Sequence, residues 1–476
     1  MRMVVFKKSS RFAFNLINET KAKVKISEGS YENKAYLQKE PMKRAFCALR
    51  SFLNIANALK SRKIFCVATS ALRDAPNANE FIKRVREELG LNIKIITGEK
   101  EALYGGIAAL NLLHIPSFTS VDIGGGSTEF CIVKDSKIVK TFSLNLGTVR
   151  LKELFFVNKD YKGALNFVLK ELEKIQEYKN ELKTIIGIGG TIRALGRAIM
   201  KESSYPMPSL HGFTYHLQDY QNLINTIVKT DDLEVLRNSY IKKDRYDTIQ
   251  EGTFIFKAIV KTFESEKITT SGAGVREGVY LSDLLRNSAI KFPHNFNPSV
   301  KSLLDRFEIC PKQSAYLGLN ASCIFKALES LHSLESRFRQ ILVIASKLYS
   351  IGVKLSFYKY NENAFSFILN ALNYKISHED KALIAHIIKY SKKALPCECC
   401  IVNFKELLPE FRILKWLSFM INLNLSLNAD MSRTKMQYEL SNNILKIKST
   451  NDSYLVRTAL EKLELPNNLE ITYCGQ

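Results

Sequence analysis

The chain contains no apolar run long enough to span a bilayer. Its most apolar late stretch, Trp416 to Leu427, is broken by Asn422 and Asn424 and falls well short of the roughly 20 residues a transmembrane helix needs. A secretory signal is not expected either, because Met1 to Lys8 meets lysine too soon for an apolar core. The 9 cysteines are odd in number and follow no framework spacing, which excludes a disulfide scaffold. Cys397, Cys399 and Cys400 cluster, but without a second Cys or His pair at zinc spacing. They are therefore expected to be free thiols, as in a reducing cytoplasm. Low-complexity tracts and repeats of roughly 20 to 50 residues are also missing, so a solenoid is excluded. Acid is scarce: 47 Asp and Glu stand against 69 Lys and Arg, a formal net charge of +22. Such a surplus attracts nucleic acid, anionic membrane or a phosphate-rich small molecule. The cations are spread along the whole chain, so charge alone names no partner.

What is present is an α/β pattern followed by a helical one. The 476 residues allow two to four domains at roughly 150 residues each. Val4 to Phe6 and Phe12 to Ile17 read as short strands, with a turn at Lys8, Ser9 and Ser10. Lys23 to Ile26 alternates as a half-buried strand does. Met42 to Leu59 carries helical spacing, and Ile64 to Ala68 reads as a strand buried on both faces. A helix over Asn79 to Leu89 ends at Gly90, a strand covers Ile93 to Ile96, and a helix covers Glu99 to Leu112. A second α/β unit opens at Val121, with strands at 121–123, 128–133, 138–144, 185–188 and near 268–270. Helices are expected at 148–155, 164–178 and 191–200. Lys291 to Pro298 reads as a linker. Beyond it, long amphipathic runs such as Arg337 to Tyr349 and Asp380 to Lys392 indicate a mostly helical domain, with a few strands after Ser441.

Four constellations carry chemistry. In the first, Asp122 ends a strand, Gly124, Gly125 and Gly126 turn the chain, and Ser127, Thr128 and Glu129 open the next strand. Glycines let backbone amides approach an anion with no Cβ in the way. Asp122 and Glu129 flank the turn and could hold Mg²⁺ against phosphate oxygens. A plain glycine hairpin is the bland alternative. No Gly-Lys-Ser/Thr follows, so this is not a P-loop, and a strand rather than a helix comes next, so it is not a dinucleotide fingerprint. In the second, the strand Ile185 to Ile188 feeds Gly189, Gly190 and Thr191 at a helix start, where free amides and the helix dipole favour an anion. A tight packing turn would look the same. The two turns are expected to come from separate α/β lobes and to face one cleft. The third places Glu99, Lys100 and Glu101 in a first helical turn, where acids are usually dipole partners. The fourth ends a strand in Thr69 and Ser70 before Arg73, whose planar fork suits a phosphate or simply the surface.

Taken together and in this order, these stretches resemble the exopolyphosphatase and guanosine pentaphosphate phosphohydrolase family, over about residues 2 to 285. The matching pieces are Ala68 to Arg73, Thr97 to Ala102, Asp122 to Glu129, Gly187 to Thr191 and Gly274 to Gly278. The resemblance implies an α/β actin-like fold, with two ribonuclease-H-like domains at 1–115 and 116–287 around a cleft. A mostly helical domain at 288–476 would follow. It makes Glu101 the implied catalytic base, and Asp122 and Glu129 the implied ligands of Mg²⁺ or Mn²⁺. Gly124, Gly125, Gly126 and Ser127 match a phosphate loop, and Gly189, Gly190 and Thr191 a second loop facing it. Arg73 and Arg276 match substrate-binding positions. The implied activity is hydrolysis of a terminal phosphate from inorganic polyphosphate or guanosine pentaphosphate. The implied protein is a cytoplasmic homodimer, acting without membrane or specific nucleic acid.

The chain departs from the family pattern twice. The family opens with an acidic-Gly-Ser-Asn-Ser loop just before an arginine that Arg2 matches. That loop and its strand are expected upstream of the given start, or else one phosphate clamp is missing. Long members also carry a helical domain related to His-Asp metal phosphohydrolases, but Tyr349 and Ser350 stand where that pair would be, so no metal is expected there despite His378 and His386. Two rival classes remain at this stage: a non-hydrolysing sensor of guanosine tetraphosphate or polyphosphate, and an actin-like sugar or acyl kinase.

Overall fold

The computed structural model describes residues 1–30, 33–392, 395–466 and 469–475. The chain divides into two compact units. The first comprises Met1–Lys8, Asn15–Tyr205 and Leu210–Phe296; the second comprises Ser9–Phe14, Pro206–Ser209 and Asn297–Gln476.

The first unit is α/β. Strands β1 (Arg2–Lys8) and β2 (Phe14–Lys21) form a two-stranded sheet, and β3 (Cys66–Ala68) pairs in parallel with β4 (Ile93–Ile95). Helices Lys39–Ala58 and Ala78–Leu89 pack with β3 and β4, and Phe46, Leu49, Phe81 and Val85 are buried in their core. Gly90 ends the second helix at φ +65, a left-handed conformation that glycine adopts without steric cost. Next come β5 (Phe118–Ile123), β6 (Thr128–Lys134), β7 (Lys137–Leu144), β8 (Thr184–Ile188), β9 (Thr214–Tyr215) and β10 (Lys267–Thr270). They make one six-stranded sheet in the order β7-β6-β5-β8-β10-β9. Its centre, β5-β8-β10, is parallel. In open α/β sheets, ligands gather at the carboxyl ends of such strands.

Helix Gly98–Leu112 joins the two halves of this unit. Its Ala109 and Leu110 lie in one buried cluster with Phe118 and Val133 of β5 and β6 and Ile188 of β8. Each large apolar side chain buried there contributes about 1.5–3 kcal/mol. Small residues set the distance. A Cβ on Gly106 would stand 2.2 Å from the Cys131 sulfur, and one on Gly278 would stand 1.8 Å from the Tyr104 carbonyl oxygen. Thr97 caps the helix, its hydroxyl accepting from the Lys100 amide at 3.2 Å, a contribution of about 1 kcal/mol.

The second unit is mostly helical. Pro311–Ala327, Arg337–Leu348, His378–Lys389 and Phe411–Ser426 bury Leu317, Phe325, Leu342, Ile384, Leu417 and Ile421. A three-stranded sheet follows: β11 (Met436–Ser441), β12 (Ile444–Ser449) and β13 (Glu470–Gly475). The strands expected after Ser441 therefore begin five residues earlier. His386 is a core residue, with Nδ1 against the Ala382 carbonyl at 2.8 Å and its pKa driven down to about 4 by burial. Among the described residues, no helix is long and apolar enough to cross a membrane.

Several expectations are corrected. Lys23 to Ile26 is not a strand. Its alternation is met instead by burying Val24 and turning Lys23 and Lys25 to Asp247. Ile64 and Phe65 are about half exposed and lie outside β3, so that apolar run is a strand only from Cys66. The helix expected at 148–155 is one α-turn, Thr148–Leu151, followed by a π-turn. Cys397 and Cys400 form a disulfide rather than free thiols, with Cys399 exposed beside them.

Candidate active site

Both glycine turns lie on the same sheet. The expectation that they come from separate lobes is therefore wrong. Gly124 to Ser127 leaves the carboxyl end of β5, Gly189 and Gly190 leave that of the neighbouring β8, and Ile123 bridges to Gly189 in parallel. The segment after β10 adds Gly274 to Arg276 at the same edge. The convergence on one edge holds; the origin of the second turn does not.

The first turn is held from behind. The carbonyls of Gly124 and Gly125 accept the amides of Thr148 and Val149 at 2.9 and 2.8 Å, and the Gly126 carbonyl accepts Arg150 Nε at 2.9 Å. Gly147 must be a glycine, because a Cβ there would stand 2.3 Å from the Gly125 oxygen. Among the described residues, the Gly125 and Gly126 amides form no hydrogen bond, which leaves two donors for an anion. The second turn opens helix Gly189–Glu202. Gly189 has φ +83, and a Cβ there would stand 2.3 Å from Asp122 Oδ1. Only glycine allows both the backbone conformation and the close carboxylate.

Three carboxyls gather beside these turns. Asp122 and Glu129 are directly paired across β5 and β6, so their side chains project from one face. Glu101 approaches from the first turn of helix Gly98–Leu112. Burial, then the neighbouring Asp122 charge, lifts the Glu101 pKa to about 7, against the opposing effect of Arg73. Burial, then Glu101, raises Glu129 well above the usual carboxyl range, and Ser127 and Ser143 only partly offset this. Burial also raises Asp122, while Arg193, Arg2 and Arg276 pull it back. Glu101 Oε2 is buried without a hydrogen bond, and Arg73 Nη1 is 3.5 Å away. Glu129 accepts from the Ser143 hydroxyl at 3.1 Å, which leaves the Glu101 oxygen as the under-bonded member of the group.

Arginines surround this acid. Arg73 donates to the Ile96 carbonyl at 3.1 Å and reaches Ser127 Oγ at 3.5 Å, with its side chain 23% exposed. Arg276 pairs with Glu19 at 2.8 Å. Two further arginines were not assigned a role from the sequence. Arg193 is buried, donates to the Ser271 and Ala273 carbonyls at 2.8 and 3.3 Å, and has its pKa lowered to about 10 by burial. The Arg245 guanidinium packs over Gly190, within 2.2 Å of where a Cβ would be. Neither can be singled out among 69 cationic residues.

Comparison with known proteins gives the family. The family description "Ppx/GppA phosphatase family" matches residues 4–287, and "Ppx/GppA phosphatase, domain III" matches residues 297–468. A bifunctional 3-dehydroquinate synthase/phosphatase of Fusobacterium nucleatum subsp. nucleatum is 29% identical over 261 residues. The match takes in 52% of this chain but only 39% of that relative's length. The crystal structure of the Aquifex aeolicus Ppx/GppA family member is similar at 28% identity and TM-score 0.52, covering 60% of this chain and 94% of that one. An exopolyphosphatase from Cytophaga hutchinsonii shares the fold at 23% identity and TM-score 0.53, over 57% and 90% of the two chains. The α/β actin-like class with a helical C-terminal part is thus the fold of this protein, and the chain belongs to the Ppx/GppA phosphatase family.

Proposed function

We propose that this protein hydrolyses the terminal phosphoanhydride bond of inorganic polyphosphate or guanosine pentaphosphate, with Glu101 as the base. The observation that carries this reading is the Glu101 carboxyl, with a pKa of about 7, beside two amide-rich turns and a ring of arginines. A base poised near neutral pH balances ionisation against proton affinity.

The amides of Gly125 and Gly126, the Ser127 hydroxyl and the helix start at Gly189, Gly190 and Thr191 would cradle the terminal phosphoryl group. Arg73 and Arg276 would neutralise its oxygens. Glu101 takes a proton from water as the water oxygen bonds to phosphorus. The bond from phosphorus to the bridging oxygen breaks, and its electron pair leaves with the shortened chain. Positioning and charge stabilisation supply most of the acceleration in such reactions. Asp122 and Glu129 are the residues that would hold Mg²⁺ or Mn²⁺, whose charge would screen the phosphate oxygens.

The test is phosphate release in ¹⁸O-labelled water. One labelled oxygen is expected in each orthophosphate released, with no nucleotide acceptor required. Transfer of the phosphoryl group to an added acceptor, in place of orthophosphate release, would instead mark a kinase, and binding of either substrate with neither outcome would mark a sensor.

A further inference from the structure

Three sulfurs gather at one point on the surface of the second unit. Pro396 leads into Cys397, Glu398, Cys399 and Cys400, where a short 3₁₀ turn, Glu398–Phe404, begins. The backbone curls tightly there, the Cys400 amide donating to the Cys397 carbonyl at 3.1 Å. The three sulfur atoms lie within 4.8 Å of one another, all on exposed residues. Cys399 Sγ stands 3.1 Å from that of Cys397 and 3.9 Å from that of Cys400.

The turn is anchored from below. Ile401 and Leu407 are buried, and the Phe404 ring meets the His386 ring of the helical core edge-on, with centroids 4.9 Å apart. Tyr390 lies within electrostatic reach of Cys399: burial, then the Cys399 charge, raises the Tyr390 pKa. The Tyr390 hydroxyl oxygen is buried with no hydrogen-bond partner. A phenol is a donor, and donors behind metal ligands orient them and tune the ion they hold.

The chemistry of this set is narrow. Thiolates are soft ligands that select Cu(I), Zn²⁺ or iron–sulfur clusters. Structural Zn²⁺ takes four protein ligands, and among the described residues no fourth His, Cys, Asp or Glu joins the three. A cuprous ion is satisfied by three sulfurs in a plane. At a metal–sulfur distance of about 2.3 Å, three evenly placed sulfurs stand roughly 4 Å apart, close to the 3.9 Å between Cys399 and Cys400. Cys397 and Cys400 are joined as a disulfide, so the set is complete only after reduction. A small thiol or dithiol supplies the two electrons: it leaves as its own disulfide, and its two protons pass to Cys397 and Cys400. Metal binding then releases the thiol protons to solvent.

We propose that reduced Cys397, Cys399 and Cys400 bind one cuprous ion in a planar three-sulfur site, which the Cys397–Cys400 disulfide closes. The site is independent of the hydrolase reading above.

The test titrates the full chain anaerobically with Cu(I), against a chromogenic cuprous chelator. The chain is first reduced with dithiothreitol, which is then removed. One ion is expected to be held per chain, with three sulfur neighbours in its X-ray absorption spectrum. Cys399→Ser should weaken the affinity about a hundredfold or more, and Cys400→Ser should do the same at a second sulfur. Cys310→Ser, which removes another exposed thiol, should change it less than twofold. The chain oxidised with diamide should hold no copper. Thermal unfolding of each variant separates loss of the site from loss of the fold. Unchanged affinity in both Cys399→Ser and Cys400→Ser, a two-sulfur spectrum, or equal binding by the oxidised chain would overturn the proposal.

Discussion

The Glu101 carboxylate stands 3.5 Å from the Arg73 guanidinium, too far for a charge-assisted hydrogen bond and close enough to oppose its protonation. Such bonds normally measure about 2.7–2.9 Å. Arg73 is therefore a brake on the Glu101 pKa rather than a tight partner. Arg73→Met is expected to move the acid limb of kcat/KM to higher pH, so activity falls more at pH 6.5 than at pH 8.5. A pH profile of both proteins checks this; a uniform loss at all pH values would mean that Arg73 only binds substrate.

Glu101 should cost stability when ionised. Its folded pKa of about 7 exceeds the reference value of 4.5, so the folded state holds the proton more tightly. Below about pH 4.5 both states are protonated and nothing is lost. Stability then falls as pH rises towards 7 and levels off above it, by an amount on the order of a few kcal/mol. Calorimetry of metal-free protein should show the Tm of Glu101→Gln gaining on that of the unaltered chain between pH 5 and 7, with no further gain above pH 8.

Cation binding should expel protons. With Glu101 and Glu129 both raised, part of the carboxyl set is protonated at neutral pH, and a divalent ion needs it ionised. Titration calorimetry with Mg²⁺ at pH 7, in buffers of different ionisation heat, is expected to give buffer-dependent enthalpies. Glu129→Gln should weaken both the affinity and the proton release; buffer-independent heats would argue against cation binding at these carboxyls.

Gly189 should tolerate no side chain. Gly189→Ala combines a positive φ with a Cβ 2.3 Å from Asp122 Oδ1, and strained backbone of this kind costs about 1–3 kcal/mol. The expected result is a lower Tm together with weaker Mg²⁺ binding as Asp122 is pushed aside. Gly90→Ala makes the control: it shares the positive φ but has open space around it, so it should lose stability alone.

Much of the site was legible because its signals are local. A triple glycine between Asp122 and Glu129, and Gly189 at a helix start, are statements about backbone chemistry that hold wherever the segments end up. Partnership was not legible. That β8 lies beside β5, bringing Gly189 to Ile123, is a crossover about 60 residues long that no local pattern encodes. Lys23 to Ile26 was misread because alternation reports only which side is buried, and Asp247 serves the polar side as well as water or a strand would. Arg193 and Arg245 were hidden by the abundance of similar cations, and their roles come from buried carbonyls and a bare Gly190 supplied by distant segments.

The most direct measurement is steady-state phosphate release from long-chain polyphosphate and from guanosine pentaphosphate, with Mg²⁺, by the unaltered chain and by Glu101→Gln, with substrate affinity measured alongside. Loss of a general base typically costs about 10²–10⁴-fold in rate, so kcat should fall by that much while affinity stays within a few-fold. Matching kcat values in the two proteins would contradict the role assigned to Glu101.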